Sequence, residues 1–176
     1  MRNHPLHLFK YCPCCGTSFF VVDSFKSKKC TQCGFVYYFN AAASTAAFIT
    51  NQEGELLVAV RAKEPAKGTF DLPGGFVDLG ETAEDALIRE IFEETGLKVS
   101  NPVYLFSIPN IYPYSGLEIH TVDMFFEVKV DKTVPIRAAD DVLELIWMKR
   151  KDINPEHFGL LSIKQSMVKW LDAKND

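Results

Sequence analysis

The sequence predicts an α+β fold, a mostly β domain enclosed by two helices, with a small metal-stapled module ahead of it. Three observations predict it. Short alternating or apolar stretches bounded by turn residues recur through the middle of the chain, as strands do. Two longer stretches, 82–95 and 160–171, carry helical signals instead. All five cysteines fall between Cys12 and Cys33, a clustering that points to metal rather than to a disulfide framework.

The first 39 residues have little apolar periodicity and cannot build a core alone, so they are expected to form a separate module. Residues 40–176 are expected to form the main domain. Residues 46–50 and 55–62 read as strands joined by a turn at 51–54, and residues 65–68 as a loop. Residues 69–72 are a short extended piece stopped by Pro73-Gly74-Gly75. In the first helix Thr82 is the N-cap, Glu84 and Asp85 occupy the first turn, and Gly96 suits the C′ position. Residues 99–108 and 119–130 read as strands separated by a loop, 109–116, rich in Tyr and Pro. Val142–Met148 reads as a last strand and 160–171 as a closing amphipathic helix.

With 176 residues, 47% of them apolar, the chain can bury one mid-sized core. A net charge of −4 argues against a general nucleic-acid-binding surface, although a bound metal would still admit an anionic substrate. The first ten residues lack the apolar run of a signal peptide, and no stretch is long enough to span a membrane. The expectation is a cytoplasmic protein with no membrane partner.

Cys12-x2-Cys15 and Cys30-x2-Cys33 are separated by fourteen residues, and each pair is followed by a glycine, Gly16 and Gly34. Two such knuckles bring four thiolates to one tetrahedral Zn²⁺, with glycine relieving the backbone as it turns. Four protein ligands leave no open position, so this zinc is expected to be structural. Cys14 is left over as a free thiol.

The first helix carries Arg89-Glu90-Ile91-Phe92-Glu93-Glu94. At about 100° per residue, Glu94 lies roughly 40° from Glu90 and Glu93 roughly 60° to its other side. Three carboxylates within one turn repel each other unless a cation joins them, and Mg²⁺ favours carboxylate oxygens. A solvated acidic face is the alternative. The preceding Gly74-Gly75 loop favours the metal, because glycine lets backbone carbonyls approach it. Leu87, Ile88, Ile91 and Phe92 are expected to anchor the helix to a sheet, with Arg89 pointing away from the carboxylates to pair with Glu81.

The stretch from Gly75 to Leu97 resembles the Nudix box, G-x5-E-x7-R-E-U-x-E-E-x-G-U, at every fixed position, U being a bulky apolar residue. The resemblance implies an α/β/α sandwich that hydrolyses a nucleoside diphosphate linked to another group, with Mg²⁺ or Mn²⁺ as cofactor. Carried over residue by residue, it implies Glu90 and Glu94 as principal metal ligands, Glu93 as a further ligand and catalytic carboxylate, and the Gly74 carbonyl as another ligand. Gly75, Glu81 and Arg89 would hold the geometry. A later carboxylate assists the water in several branches, and the matching region here offers Asp141 first and Glu144 second, loop charges being the alternative.

A zinc ribbon ahead of this box resembles the NADH pyrophosphatase branch, whose further motif S-Q-P-W-P-F-P-x-S is partly matched by Ser107-Ile108-Pro109-Asn110-Ile111-Tyr112-Pro113-Tyr114-Ser115. Ser107, Tyr112, Tyr114 and Ser115 are therefore candidate substrate contacts, the two tyrosines by stacking on a base. Arg61 is a candidate phosphate contact or, alternatively, an edge charge. The four histidines receive no role. The leading expectation is hydrolysis of NADH, NAD or ADP-ribose to AMP. The alternatives are a hydrolase of modified nucleoside triphosphates and a non-catalytic nucleotide-sensing or RNA-binding module. A small nucleotide is the expected partner, nucleic acid is not, and a homodimer is expected from family resemblance alone.

Overall fold

The computed structural model describes residues 4–173. They divide into two compact units, one running to Ala41 and including Ile111–His120, the other formed by Ala42–Asn110 and the chain from Thr121 onward.

In the first unit three short strands form an antiparallel sheet: β1 (Phe20–Ser24), β2 (Ser27–Cys30) and β3 (Val36–Tyr38), with β2 central. Its apolar interior is small, comprising Cys12, Phe20 and Cys30 with Phe35 against them. Lys28 crosses the Phe20 ring and donates to the Phe9 carbonyl at 2.6 Å. So slight a core is what the composition of this segment implied.

The larger sheet is built from β4 (Ala42–Thr50), β5 (Leu56–Arg61), β6 (Phe70–Asp71), β7 (Val103–Tyr114), β8 (Leu117–Lys129) and β9 (Val142–Met148). The strand order is β6-β5-β4-β8-β7, and β9 pairs with β5. β4 and β8 run parallel, from Ala42 opposite Thr121 to Thr50 opposite Lys129. Two helices, α1 (Ala83–Thr95) and α2 (Leu161–Ala173), cover its opposite faces. Alternation along β4 sorts the core: Ala46 and Phe48 pack with Ile163, Met167 and Trp170 of α2, and Ala47 and Ile49 pack with Leu87 and Ile91 of α1. Phe48 stacks on Trp170 at 5.1 Å between ring centroids. Each large apolar side chain buried this way contributes about 1.5–3 kcal/mol. The α/β/α sandwich expected from the sequence is the fold observed.

The caps of α1 are as expected. The Thr82 hydroxyl accepts from the Asp85 N–H at 3.1 Å, and Gly96, at φ 74°, returns its N–H to the Phe92 carbonyl at 2.9 Å. The anchoring set needs correction at Phe92, which is 49% exposed. It stands about 100° around the helix from Ile91, outside the stripe facing the sheet.

Residues 109–116 also need correction, because β7 continues through Pro109 and Pro113 to Tyr114. β7 is the last strand in the order, and an edge strand tolerates proline because its outward N–H has no partner to lose. Ser115 and Gly116, at φ 50° and 75°, form the turn into β8, both positive as a type I′ hairpin requires. The strand begins at Val103 rather than residue 99, since Asn101 at φ 52° and Pro102 interrupt the chain before it.

Candidate active site and metal centre

Beyond β6 the chain runs alongside β4. The Pro73 carbonyl accepts from Ala47 N–H at 2.9 Å, the Gly75 carbonyl from Thr45 N–H at 2.8 Å, and Val77 N–H donates to Ala43 at 3.0 Å. The intervening Gly74 carbonyl is the one of the three not committed to β4. Only glycine fits at position 74, where φ is 150° and a Cβ would stand 2.1 Å from the Thr45 carbonyl oxygen. At position 75 a Cβ would stand 2.4 Å from Glu90 Oε1. The two glycines thus let a backbone loop lie directly against α1's carboxylates.

Glu94 is 7% exposed and accepts the Gly74 N–H at 2.9 Å. Burial raises its carboxyl pKa well above the ordinary 4.5, the Gly74 N–H opposes the shift, and Asp71, Glu90 and Asp141 add to it. Glu90 is raised by burial too, against the pull of Arg89. Glu93 is 45% exposed and lies at the rim.

Arg89 does not point away from the carboxylates as expected. It clasps Glu81 through Nε at 2.8 Å and Nη2 at 2.9 Å, and also reaches Glu90 at 2.8 Å, Glu93 at 3.2 Å and the Phe76 carbonyl at 3.1 Å. The long side chain folds back over the patch, and its fork of donors serves both purposes. Arg89 holds the Glu81 carboxyl down at about 2, helped by the Asp78 N–H.

The segment before β9 is tied to the end of α1: Arg137 N–H donates to the Thr95 carbonyl at 3.0 Å and Ala139 N–H to that of Glu94 at 3.1 Å. Asp140 and Asp141 thereby join the same field, Asp140 acting on Glu90 and Asp141 on Glu94. Asp141 is ion-paired with Lys63. Glu144 departs from expectation. It lies opposite Val60 and shares the strand face of Met148, which packs on the α2 side of the sheet. Alternation therefore places Glu144 on the face opposite α1.

Arg61 bonds to Asp71 and, through Nε, to the Pro65 carbonyl at 2.7 Å. Ser107 is an exposed position on β7. Tyr112, Tyr114 and Ser115 belong to the first unit, whereas the glutamates belong to the second, and Tyr114 is 66% exposed. Two buried acids escaped notice in the sequence. Asp71 stands beside the Leu72-Pro73-Gly74 stretch and acts on Glu94. Asp123 accepts from the hydroxyls of Ser44, Thr121 and Ser162, fastening β4, β8 and α2 together. The available signal was a charged residue on the strand face shared with Phe125.

In the first unit the sulfurs of Cys12, Cys15, Cys30 and Cys33 lie within 4.8 Å of one another. The two knuckles repeat each other: Gly16 N–H returns to the Cys12 carbonyl at 2.9 Å and Gly34 N–H to that of Cys30 at 3.0 Å. Both glycines have positive φ, 73° and 80°. Backbone N–H groups, that of Cys33 foremost, lower the Cys30 thiol to about 6. The backbone bonds of Cys15 and Cys33 are instead outweighed by burial and the neighbouring thiols, which raise both, so without a cation the four thiols do not all ionise together. Cys14 stands outside the quartet. Among the described residues no other group of three or more such ligands is gathered so tightly, so the carboxylates of α1 adjoin one loop without converging to the same degree.

The NUDIX domain family matches residues 40–171. An ADP-ribose pyrophosphatase of Methanocaldococcus jannaschii is 33% identical over 124 residues, 69% of this chain and 70% of that protein. The NAD-capped RNA hydrolase NudC of Chromobacterium violaceum is 35% identical over 109 residues, 62% of this chain but 40% of its own length. The crystal structure of a NUDIX hydrolase from Nitrosomonas europaea superimposes with a TM-score of 0.73 at 21% identity, covering 94% of this chain and 92% of that one. With the glycine loop packed on a carboxylate-bearing helix inside residues 40–171, the stretch that the family model matches, this chain is a member of the Nudix family.

Proposed function

We propose that the chain hydrolyses the pyrophosphate bond of a nucleoside diphosphate derivative, ADP-ribose or NAD(H), and releases AMP. The observation that carries this is the seating of Glu90 and Glu94 against Gly74 and Gly75. The relatives named ADP-ribose pyrophosphatase and NAD-capped RNA hydrolase supply the substrate class. We read residues 1–39 as a zinc ribbon and 40–176 as the hydrolase domain, in a cytoplasmic protein that forms a homodimer.

The residues fit a hard divalent cation, Mg²⁺ or Mn²⁺. Their donors are all oxygens, two of the carboxylates are desolvated enough to resist ionising alone, and the Gly74 carbonyl, uncommitted to β4, belongs to the residue whose N–H meets Glu94. Glu90, Glu93, Glu94 and the Gly74 carbonyl would hold the ion. When bound, it neutralises the pyrophosphate and lowers the barrier to attack by water. Arg89 keeps Glu90 and Glu93 in place and is itself held by Glu81. Asp141 accepts the proton of the attacking water; the new bond is from the water oxygen to phosphorus, and the bridging P–O bond breaks. ADP-ribose and water then give AMP and ribose 5-phosphate. Ser107, Tyr112, Tyr114, Ser115 and Arg61 remain candidates for substrate contact, Arg61 acting through its place beside Asp71.

The four thiolates fit one structural Zn²⁺, because a Zn–S bond of about 2.3 Å needs sulfurs as close as these.

The test is hydrolysis of a panel with Mg²⁺ or Mn²⁺: ADP-ribose, NADH, NAD, RNA bearing NAD at its 5′ end, and modified nucleoside triphosphates. Release of AMP from the dinucleotides or ADP-ribose, lost in Glu94→Gln, supports the reading. Preference for the triphosphates points to sanitising, and no turnover of any substrate overturns the enzyme reading in favour of a sensing module.

A further inference from the structure

Glu118 and His120 stand two residues apart on β8 and so share one strand face. In the first unit they line a cavity of about 660 Å³ together with Phe25 and Lys26 from the β1–β2 turn and Phe39 and Asn40 just after β3. The volume is within the range of about 300–1,000 Å³ typical of small-molecule sites. Among the described residues neither the Glu118 nor the His120 side chain has a hydrogen bond or ion pair, and Phe25 is 82% exposed. Lys26 Nζ donates to Asn40 Oδ1 at 3.4 Å, which leaves the Asn40 amide N–H donors and the rest of the ammonium free to serve a ligand.

The wall chemistry narrows the occupant. Two phenyl rings suit a flat heteroaromatic group. The Asn40 amide and the acceptor-only Glu118 carboxylate suit the donors and acceptors of a base edge or of a ribose diol. Lys26 suits a phosphate. A hydrocarbon chain would bury the carboxylate, amide and ammonium without partners, a cost of about 1–3 kcal/mol each. A bare inorganic anion would leave the rings unused and face Glu118.

The geometry points to a nucleotide-binding site in the first unit, distinct from the Glu90–Glu94 carboxylates, that takes a nucleoside monophosphate. The base stacks on Phe25 and Phe39, its polar edge or ribose meets Asn40 and Glu118, and the phosphate meets Lys26. The same chemistry is offered by a free nucleotide and by one residue of single-stranded RNA.

The test uses the full chain in buffer free of added divalent cations and of chelator, so that the cysteine centre is undisturbed. Binding of AMP and of a 5′-phosphorylated adenylate tetramer is measured by titration calorimetry, with the His120 ring resonances followed by NMR. Phe25→Ala and Asn40→Ala are expected to weaken binding at least fivefold each and to abolish the His120 shift, while kcat/KM for ADP-ribose is unchanged. AMP bound as tightly as the tetramer identifies a free nucleotide as the source, and a tetramer bound at least tenfold tighter identifies RNA. Absent binding of both probes, or binding that Phe25→Ala leaves intact, overturns the proposal. Because hydrolysis is read separately, its presence or absence does not decide this outcome.

Discussion

The Gly74 N–H donates to the Glu94 carboxylate at 2.9 Å, so the loop beside β4 and the buried face of α1 are joined by a bond that a side chain at position 74 would break. A Cβ at position 74 would meet the Thr45 backbone at 2.1 Å, whereas one at position 75 would meet the end of the Glu90 side chain at 2.4 Å.

That contrast separates two substitutions. Gly74→Ala meets the Thr45 backbone at a strained φ and is expected to destabilise the protein by more than about 2 kcal/mol. Gly75→Ala displaces the end of the Glu90 side chain, so stability falls little while kcat drops about 10²-fold through misplacement. Urea denaturation and ADP-ribose hydrolysis of both variants check this, and equal stability losses would contradict it.

Stability should respond to pH in two opposite ways. Glu94 and Glu90 have raised carboxyl pKa values, so their contribution is fully present below about 4.5 and is lost as pH rises through the folded values. A divalent cation needs both ionised, and its stabilising effect should therefore grow with pH. Glu81, held at about 2 by Arg89, contributes stability present above 4.5 and lost as pH falls toward 2. Thermal melts across pH, with and without Mg²⁺, should show a widening gap in Tm toward neutral pH. A gap independent of pH would count against Glu90 and Glu94 as ligands.

Asp141 and Glu144 should behave differently. Asp141→Asn is expected to lower kcat by about 10²–10⁴-fold with little change in KM. Glu144→Gln, on the α2 side of the sheet, should stay near the unaltered rate. Steady-state kinetics of the pair decides, and the reverse order would reassign the base.

The protein should carry about one zinc per chain. Cys30→Ser should lose it and melt the three-stranded sheet, since zinc binding supplies apparent energies of about 10–16 kcal/mol in such modules. Cys14→Ser should keep it, because Cys14 lies outside the quartet. Elemental analysis and circular dichroism report both results.

Local signals were legible in the sequence: Thr82 and Gly96 mark α1, and the paired cysteines mark the quartet, because a cap or a knuckle is specified within a few residues. What depended on neighbours was not. That β7 runs through Pro109 and Pro113 follows from its place at the sheet edge, a property of the assembled fold. The alternation of β9 was visible, but which face meets which helix was not, so Glu144 read as a candidate base. Arg89 looked turned aside because a helical wheel places the Cα and not the end of a long side chain. Asp71 and Asp123 sit in no motif, and their importance appears only when distant hydroxyls and guanidinium close around them.

The Asp123 junction bears on the order in which the chain matures. Ser44 precedes Asp123 by 79 residues and Ser162 follows it by 39. Its carboxylate cannot acquire all three hydroxyls until the chain as far as Ser162 has left the ribosome, so this lock closes only after β4 and β8 have both been made.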